Sequence, residues 1–237
     1  MEHSFALTDS ESGRYSRSML TPAFGTEQQL KLKRARILVV GAGGLGSSVL
    51  LYLTAAGVGR IGIVEFDTVA ISNLQRQLLY TSDDLGANKI SAAHARLQSL
   101  NPHVEFDTYN TRFDEHNATD IARNYDLVVD CSDNYRARLT IDNTTATLGI
   151  PMVYATAQEW GGQVSIFNHG EAGRYSDLFG DQMEQKQAVG VIPPVVGVIG
   201  SLQATEVMKL ITGTGNPLIN KLLSYNALTA EFKIFSL

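Results

Sequence analysis

Residues 37–48 read ILVVGAGGLGSS: four apolar residues, then Gly41-x-Gly43-x-x-Gly46, then small residues able to open a helix. The apolar run reads as a buried parallel strand. Glycines at this spacing permit a tight turn and let the backbone approach a phosphate, whose charge is favoured at a helix N-terminus. The stretch therefore predicts a strand–turn–helix that holds a nucleotide. It suits a nicotinamide dehydrogenase and several kinds of ATP-binding enzyme equally, so residues elsewhere must decide between them.

On its N-terminal side, residues 1–13 are polar and are expected to form a flexible tail, followed by a short helix opening at RYSRSML and a second helical stretch, EQQLKLKRA. Downstream, SSVLLYLTAAG (47–57) predicts a helix stopped by Gly57, RIGIVEFD (60–67) a second strand, and GANKISAAHARLQSL (86–100) an amphipathic helix. VEFDTYN (104–110) and YDLVVDCSD (125–133) read as strands around a helix near 115–124. After a helical IDNTTATLG, PMVYATA (151–157) and GQVSIFN (162–168) are strands, 194–212 is a long buried helix, and KLLSYNA and AEFKIFSL are the last two strands. Such alternation predicts an α/β fold: a Rossmann-like, doubly wound, mostly parallel sheet with right-handed crossovers and an antiparallel C-terminal extension. With no repeat, low-complexity tract or linker, 14–237 is expected to be a single domain.

A chain of 237 residues is long enough to bury roughly 70–75% of its unfolded surface without metals or disulfides. The net charge of -5 argues against a nucleic-acid partner, because neutralising phosphates needs a basic face. One cysteine, Cys131, excludes an intrachain disulfide and fits a reducing compartment. The N-terminus has no apolar signal core, and the apolar runs are read as shorter than the ~18–20 residues of a membrane span. The expectation is a cytoplasmic protein with no membrane partner.

The acid at the end of the second predicted strand strengthens the nucleotide reading. Asp67 follows Gly46 by 21 residues, the spacing from which a carboxylate reaches a ribose hydroxyl pair. Glu65 competes for that role. The segment after it decides more. Ser72, Asn73, Gln75 and Arg76 in SNLQRQ, with Lys89 in ANK, form a polar and cationic cluster that a dehydrogenase does not need. A triphosphate does need one: arginine grips two oxygens in a planar fork and lysine supplies a compact charge. A solvated loop with ordinary surface charges is the plainer alternative for Arg76 or Lys89 taken singly.

RYSR, GAGGLG, Asp67, SNLQRQ, ANK, DCSDN and GVIGSLQATEVMKLITG, in this order from about Arg14 to Leu237, resemble the ubiquitin-activating-type adenylyltransferase superfamily. The likeness is to its bacterial branch that activates sulfur-carrier proteins for molybdopterin and thiamine synthesis. The resemblance implies that ATP and the C-terminal Gly-Gly carboxylate of a ubiquitin-like sulfur-carrier protein yield an acyl adenylate and pyrophosphate. It further implies that Gly41, Gly43, Gly44 and Gly46 contact the nucleotide and that Asp67 holds the ribose. Ser72, Asn73, Arg76 and Lys89 would lie along the phosphates, Asp133 would hold Mg²⁺, and Asn134 would line the pocket. Arg17, the second arginine of R-Y-x-R, would reach the ATP site of the other subunit of a homodimer. Arg17, Arg76, Lys89 and Asp133 are then the catalytic set.

The chain also departs from that pattern. Many bacterial relatives carry two CxxC pairs for a structural zinc, where this chain reads EAGRYSDLFGD and ends at FSL. A single cysteine cannot build a Cys₄ site, and the histidines are scattered, so no zinc is expected. In the loop where some relatives place a thioester cysteine, DQMEQKQAVG offers Lys186 instead. The polar loop between Gly170 and Gly190 is expected either to cross over the carrier tail or to be a plain surface loop. Cys131 follows LVVD and reads as a buried residue, and Asp130 as a cap or loop-ordering residue. Three alternatives stand beside adenylation of a carrier: adenylation of another carboxylate such as a peptide, a non-catalytic scaffold of the same fold, and a dehydrogenase.

Overall fold

The computed structural model describes residues 6–180 and 189–237. Eight strands make one sheet in the order β3-β2-β1-β4-β5-β6-β7-β8. β1 (Arg36–Val40), β2 (Arg60–Val64), β3 (Glu105–Tyr109), β4 (Leu127–Asp130) and β5 (Met152–Gln158) run parallel. β6 (Gly161–Phe167), β7 (Lys221–Asn226) and β8 (Glu231–Ser236) extend the sheet antiparallel. This is the doubly wound sheet and antiparallel extension that the alternation predicts. The crossovers diverge on either side of β1, from which one half leads to β2 and β3 and the other to β4 and β5; ligands collect outside the strand ends at such a switch point.

Both faces of the central strands are covered. Along β1 the side chains alternate between two apolar clusters, as the period of a strand requires. Ile37 and Val39 face α2 (Thr26–Arg34), α3 (Gly44–Ala56), α4 (Lys89–Leu100) and α8 (Pro193–Thr212). Leu38 and Val40 face α5 (Ala118–Ala122), α6 (Tyr135–Leu148) and α7 (Tyr175–Phe179). Helix α8 is long and apolar enough to cross a membrane, with a mean hydropathy of 1.3, which the sequence reading of shorter runs missed. It is the main core helix instead: Val195, Val196, Ile199 and Val207 are buried against α3 and the sheet, each contributing roughly 1.5–3 kcal/mol.

Several boundaries differ from the sequence reading, α6 among them in starting at Tyr135 rather than Ile141, and three have a clear local reason. Helix α1 (Asp9–Met19) begins inside the stretch read as a tail, because Thr8 and Glu11 form a reciprocal capping box. The Glu11 carboxylate also meets Lys33 Nζ at 2.7 Å. Helix α3 starts at Gly44 rather than Ser47, so the glycine motif itself forms its first turn. Strand β2 stops at Val64, because Glu65 bends the chain out of the sheet by binding the amides that follow it. Helix α7 has no counterpart in the sequence reading.

Candidate active site

Two positions of the turn after β1 admit only glycine. Gly41 has φ +97°, and a Cβ there would lie 2.6 Å from the Cys131 carbonyl oxygen. A Cβ on Gly46 would lie 2.1 Å from the Gly41 carbonyl oxygen. Gly43 caps α3 with no side-chain bond, so the first amides of the helix are left for an anion. Ala42 is pinned from both sides: its amide donates to Glu65 Oε2 at 3.0 Å, and its carbonyl accepts from the Tyr80 hydroxyl at 2.8 Å.

Glu65 and Asp67, the two rivals at the end of β2, have separate roles. Glu65 is 7% exposed, and its Oε1 accepts the amides of Phe66 and Asp67 at 2.8 and 2.9 Å. With Oε2 taken by Ala42, it builds the turn and has no oxygen left for a ribose. Asp67 is the exposed acid of the pair, its side chain 53% accessible. Lys89 Nζ lies 3.3 Å from Asp67 Oδ2 and is almost fully buried. The structure thus brings Lys89 to Asp67, a partnership that the sequence reading did not anticipate.

Arg76 approaches the same turn from the other side. A Cβ on Gly44 would meet Arg76 Cγ at 3.5 Å, so the arginine stem lies against the first turn of α3. Arg76 Nη1 donates to the Ser72 carbonyl at 3.1 Å, and Asn73 Oδ1 accepts the Ala70 amide at 3.1 Å. These bonds fold the SNLQR segment into a short turn that presents its arginine. A shallow cavity of about 200 Å³ opens there, lined by Ser48, Arg76, Leu78, Pro193, Pro194 and Gly197.

At the end of β4, Asp130 is fully buried. Its Oδ1 accepts the Ser132 amide and hydroxyl, at 3.0 and 2.6 Å, and its Oδ2 lies 3.3 Å from Arg138 Nε. Burial holds its carboxyl above the usual range, against the pull of Arg138 and Ser132. Asp130 is therefore the loop-ordering residue that its position implied. Asn134 caps α6 by accepting the Ala137 amide at 2.9 Å. Asp133 is exposed, and among the described residues its one hydrogen bond comes from Asn134 Nδ2 at 3.3 Å. Cys131 is buried and its thiol is pushed well up by desolvation. Its Sγ lies 3.6 Å from Gln203 Oε1.

Arg17 is not among these groups. Helix α1 docks at the opposite end of α3: a Cβ on Gly57 would lie 2.4 Å from Tyr15 Cζ, and Tyr15 accepts a bond from Asn101 Nδ2. From Gly44 to Ala56 is about 18 Å at the helical rise of 1.5 Å per residue, beyond the reach of an arginine two positions from Tyr15. Lys186 and the segment 181–188 lie outside the described residues.

No group of three or more His, Cys, Asp or Glu side chains able to hold a metal occurs among the described residues. The single open carboxylate of Asp133 beside the glycine turn suits Mg²⁺, which keeps several waters and takes one or two carboxylates together with phosphates. The sequence reading missed Arg138, which joins the Asp130 turn to α6. Its position four residues after the Asn134 cap, hence facing back over DCSDN, was the available signal. It also missed Gln203, whose Nε2 donates to the Asp130 and Val153 carbonyls at 2.7 and 3.0 Å. No local pattern signals that contact.

This geometry agrees with what the chain is similar to. It is 45% identical over 236 residues to the sulfur carrier protein adenylyltransferase of Thermus thermophilus, covering 95% of this chain and 87% of that one. It is 38% identical over 231 residues to the molybdopterin-synthase adenylyltransferase of Salmonella typhimurium, covering 96% and 93%. Other curated relatives are longer, and the chain spans about half to two thirds of their length. A crystal structure of E. coli MccB with ATP shares the fold, with a TM-score of 0.86 at 22% identity over 98% of this chain and 73% of that one. The model of the ThiF family matches residues 15–237, and the chain belongs to that family.

Proposed function

We propose that this chain adenylates the C-terminal Gly-Gly carboxylate of a ubiquitin-like sulfur-carrier protein with ATP, releasing pyrophosphate, and that 14–237 acts as one adenylation domain. The observation that carries the reading is the convergence of the glycine turn, Asp67 with Lys89, Arg76 and Asp133 beyond the carboxyl ends of β1, β2 and β4. It occurs in a chain whose relatives are named adenylyltransferases of such carriers.

The chemistry follows from charge. A carboxylate is a weak nucleophile and must approach a negatively charged α-phosphate, so cations must screen the approach and steady the departing pyrophosphate. The free amides of α3 and the guanidinium of Arg76 are set to hold phosphate oxygens. Asp67 is set to accept from the ribose hydroxyls, and Lys89, anchored on Asp67, supplies charge between ribose and phosphates. Ser72 and Asn73 keep Arg76 in place. Asp133 would hold Mg²⁺, which when bound neutralises phosphate charge, and Asn134 lines the pocket beside it. The attacking group is already ionised, so no general base is required. Cys131 is buried with a raised thiol pKa, which supports release or transfer of the adenylate without a thioester on that residue.

Arg17 completes the set from a second copy of the chain. Its distance from the glycine turn of its own subunit supports action in trans. So do the exposed apolar side chains of the segment that carries Arg76, where Ile71 is 71% and Leu78 70% exposed. Such a homodimer works where ATP is abundant and thiols stay reduced, namely the cytoplasm.

ATP–pyrophosphate exchange with a panel of Gly-Gly carriers tests the reading. Exchange that appears only with an added carrier is the expected result; none with any carrier overturns it. Mixing Arg17→Ala and Asp133→Ala subunits is expected to restore activity in mixed dimers, and no recovery excludes action in trans.

A further inference from the structure

The turn that carries Asp133 is fastened by a side chain for which the adenylation chemistry has no direct use. Arg138 is only 15% exposed, and its guanidinium reaches three elements at once. Nε lies 3.3 Å from Asp130 Oδ2, at the end of β4. Nη2 donates to the Ser132 carbonyl at 3.2 Å, one residue before Asp133, and to Thr156 Oγ1 on β5 at 3.3 Å. The guanidinium carbon lies 5.6 Å from the centre of the Tyr154 ring on β5. A planar fork of five donors can serve all these partners, whereas an ammonium cannot.

We propose that Arg138 is the positioning residue of the cation site. It fixes the 131–133 turn so that the Asp133 carboxylate faces the phosphates, and through Thr156 it ties that turn to β5. Two features carry the inference. Asp133 itself is held by one long bond from Asn134, so its own contacts do not fix its direction. The carbonyl immediately before it and the carboxylate at the root of the turn both rest on Arg138. The proposal rests on the adenylation reading for its cation, and its test separates the two.

The test compares wild type, R138K, D133N and the R138K/D133N double variant by calorimetry of ATP binding at graded Mg²⁺, with pyrophosphate exchange alongside. R138K keeps the buried charge and is the informative variant should Arg138→Ala fail to fold. It is expected to raise the Mg²⁺ concentration for half-maximal ATP binding about tenfold or more, as loss of an outer-shell partner does. Binding of ATP without Mg²⁺ should stay unchanged. Exchange should fall in kcat, with KM for ATP nearly constant. R138K/D133N is expected to match D133N, because the arginine acts through that carboxylate. An unchanged Mg²⁺ dependence in R138K, or independent losses that multiply in the double variant, overturns the proposal. Wild type that binds Mg²⁺ with ATP yet exchanges with no carrier defeats the adenylation reading alone, and the calorimetry still decides the role of Arg138. Wild type that binds no ATP defeats both.

Discussion

The ends of β2 and β4 carry the same device in two versions. In each, a buried inner acid builds the turn and an exposed outer acid follows within three residues: Glu65 then Asp67, Asp130 then Asp133. The inner acids are held differently. Glu65 is satisfied by three backbone amides, one of them from the glycine turn. Asp130 takes one amide and one hydroxyl and leans on the guanidinium of Arg138. The outer acids differ in consequence. Asp67 already faces the Lys89 ammonium, so the charge of that outer acid is matched and it is suited to a hydroxyl donor such as a ribose. Asp133 faces no cation among the described residues, so its charge is available for one. Two acids per turn are thus divided between architecture and ligand, and the companion of the outer acid sets what that ligand is.

The sharpest way to break this comparison is Asp133→Asn. If the second turn exists to hold a cation, pyrophosphate exchange should fall by about 10²–10³, the usual loss of a preorganised charge. The side chain is exposed with one long hydrogen bond, so the melting temperature should barely move. A loss below threefold would make the outer acid of β4 no different from a surface carboxylate.

Glu65→Gln tests the inner acid of the first turn. The amide would turn one donor toward backbone N–H groups and leave a buried amide without its acceptor, costing about 1–3 kcal/mol. Chemical denaturation would show this as a lower midpoint at an unchanged slope. Because Glu65 shapes the segment leading to Asp67, KM for ATP should rise as well. Full stability in this variant would show that the turn forms without the carboxylate.

These two turns also mark what the sequence made legible. GAGGLG, the acid at the end of the second strand and DCSDN were readable because strand, turn and helix follow one another within a few residues. The assignment of Glu65 and Asp67 was not, since which acid turns inward depends on where β2 ends, and that end is set by the Glu65 side chain itself. Lys89 meets Asp67 through a backbone pairing across 22 residues, and Arg138 meets Thr156 only because β5 lies beside β4. Neither contact leaves a local pattern. The start of α1 was legible, because T-x-x-E at 8–11 is a capping-box signature.

A milder change sharpens the first turn from outside. Asp67→Asn keeps the shape of the outer acid but removes its charge, leaving Lys89 buried without its partner. KM for ATP should rise about tenfold, the worth of one hydrogen bond to a charged group, with kcat changing less. Equal falls in kcat and kcat/KM would move Asp67 from ground-state binding to transition-state stabilisation.

Glu11 repeats the inner-acid device far from the site and serves as its control. Burial raises its carboxyl, but Lys33 and the amide and hydroxyl of Thr8 outweigh that and leave it below the ordinary glutamate value. A carboxylate lowered on folding contributes stability that is fully present above about pH 4.5 and is lost as pH falls through the folded value. Glu11→Gln should therefore cost about 1 kcal/mol or less at pH 7. As pH falls through the folded value its denaturation midpoint should converge with that of wild type, because protonation removes the same charge. A constant gap between the two from pH 7 to pH 3 would mean that the carboxylate acts through its shape rather than its charge. In that case the amide-bound Glu65, whose partners are also mostly backbone, would be expected to behave the same way.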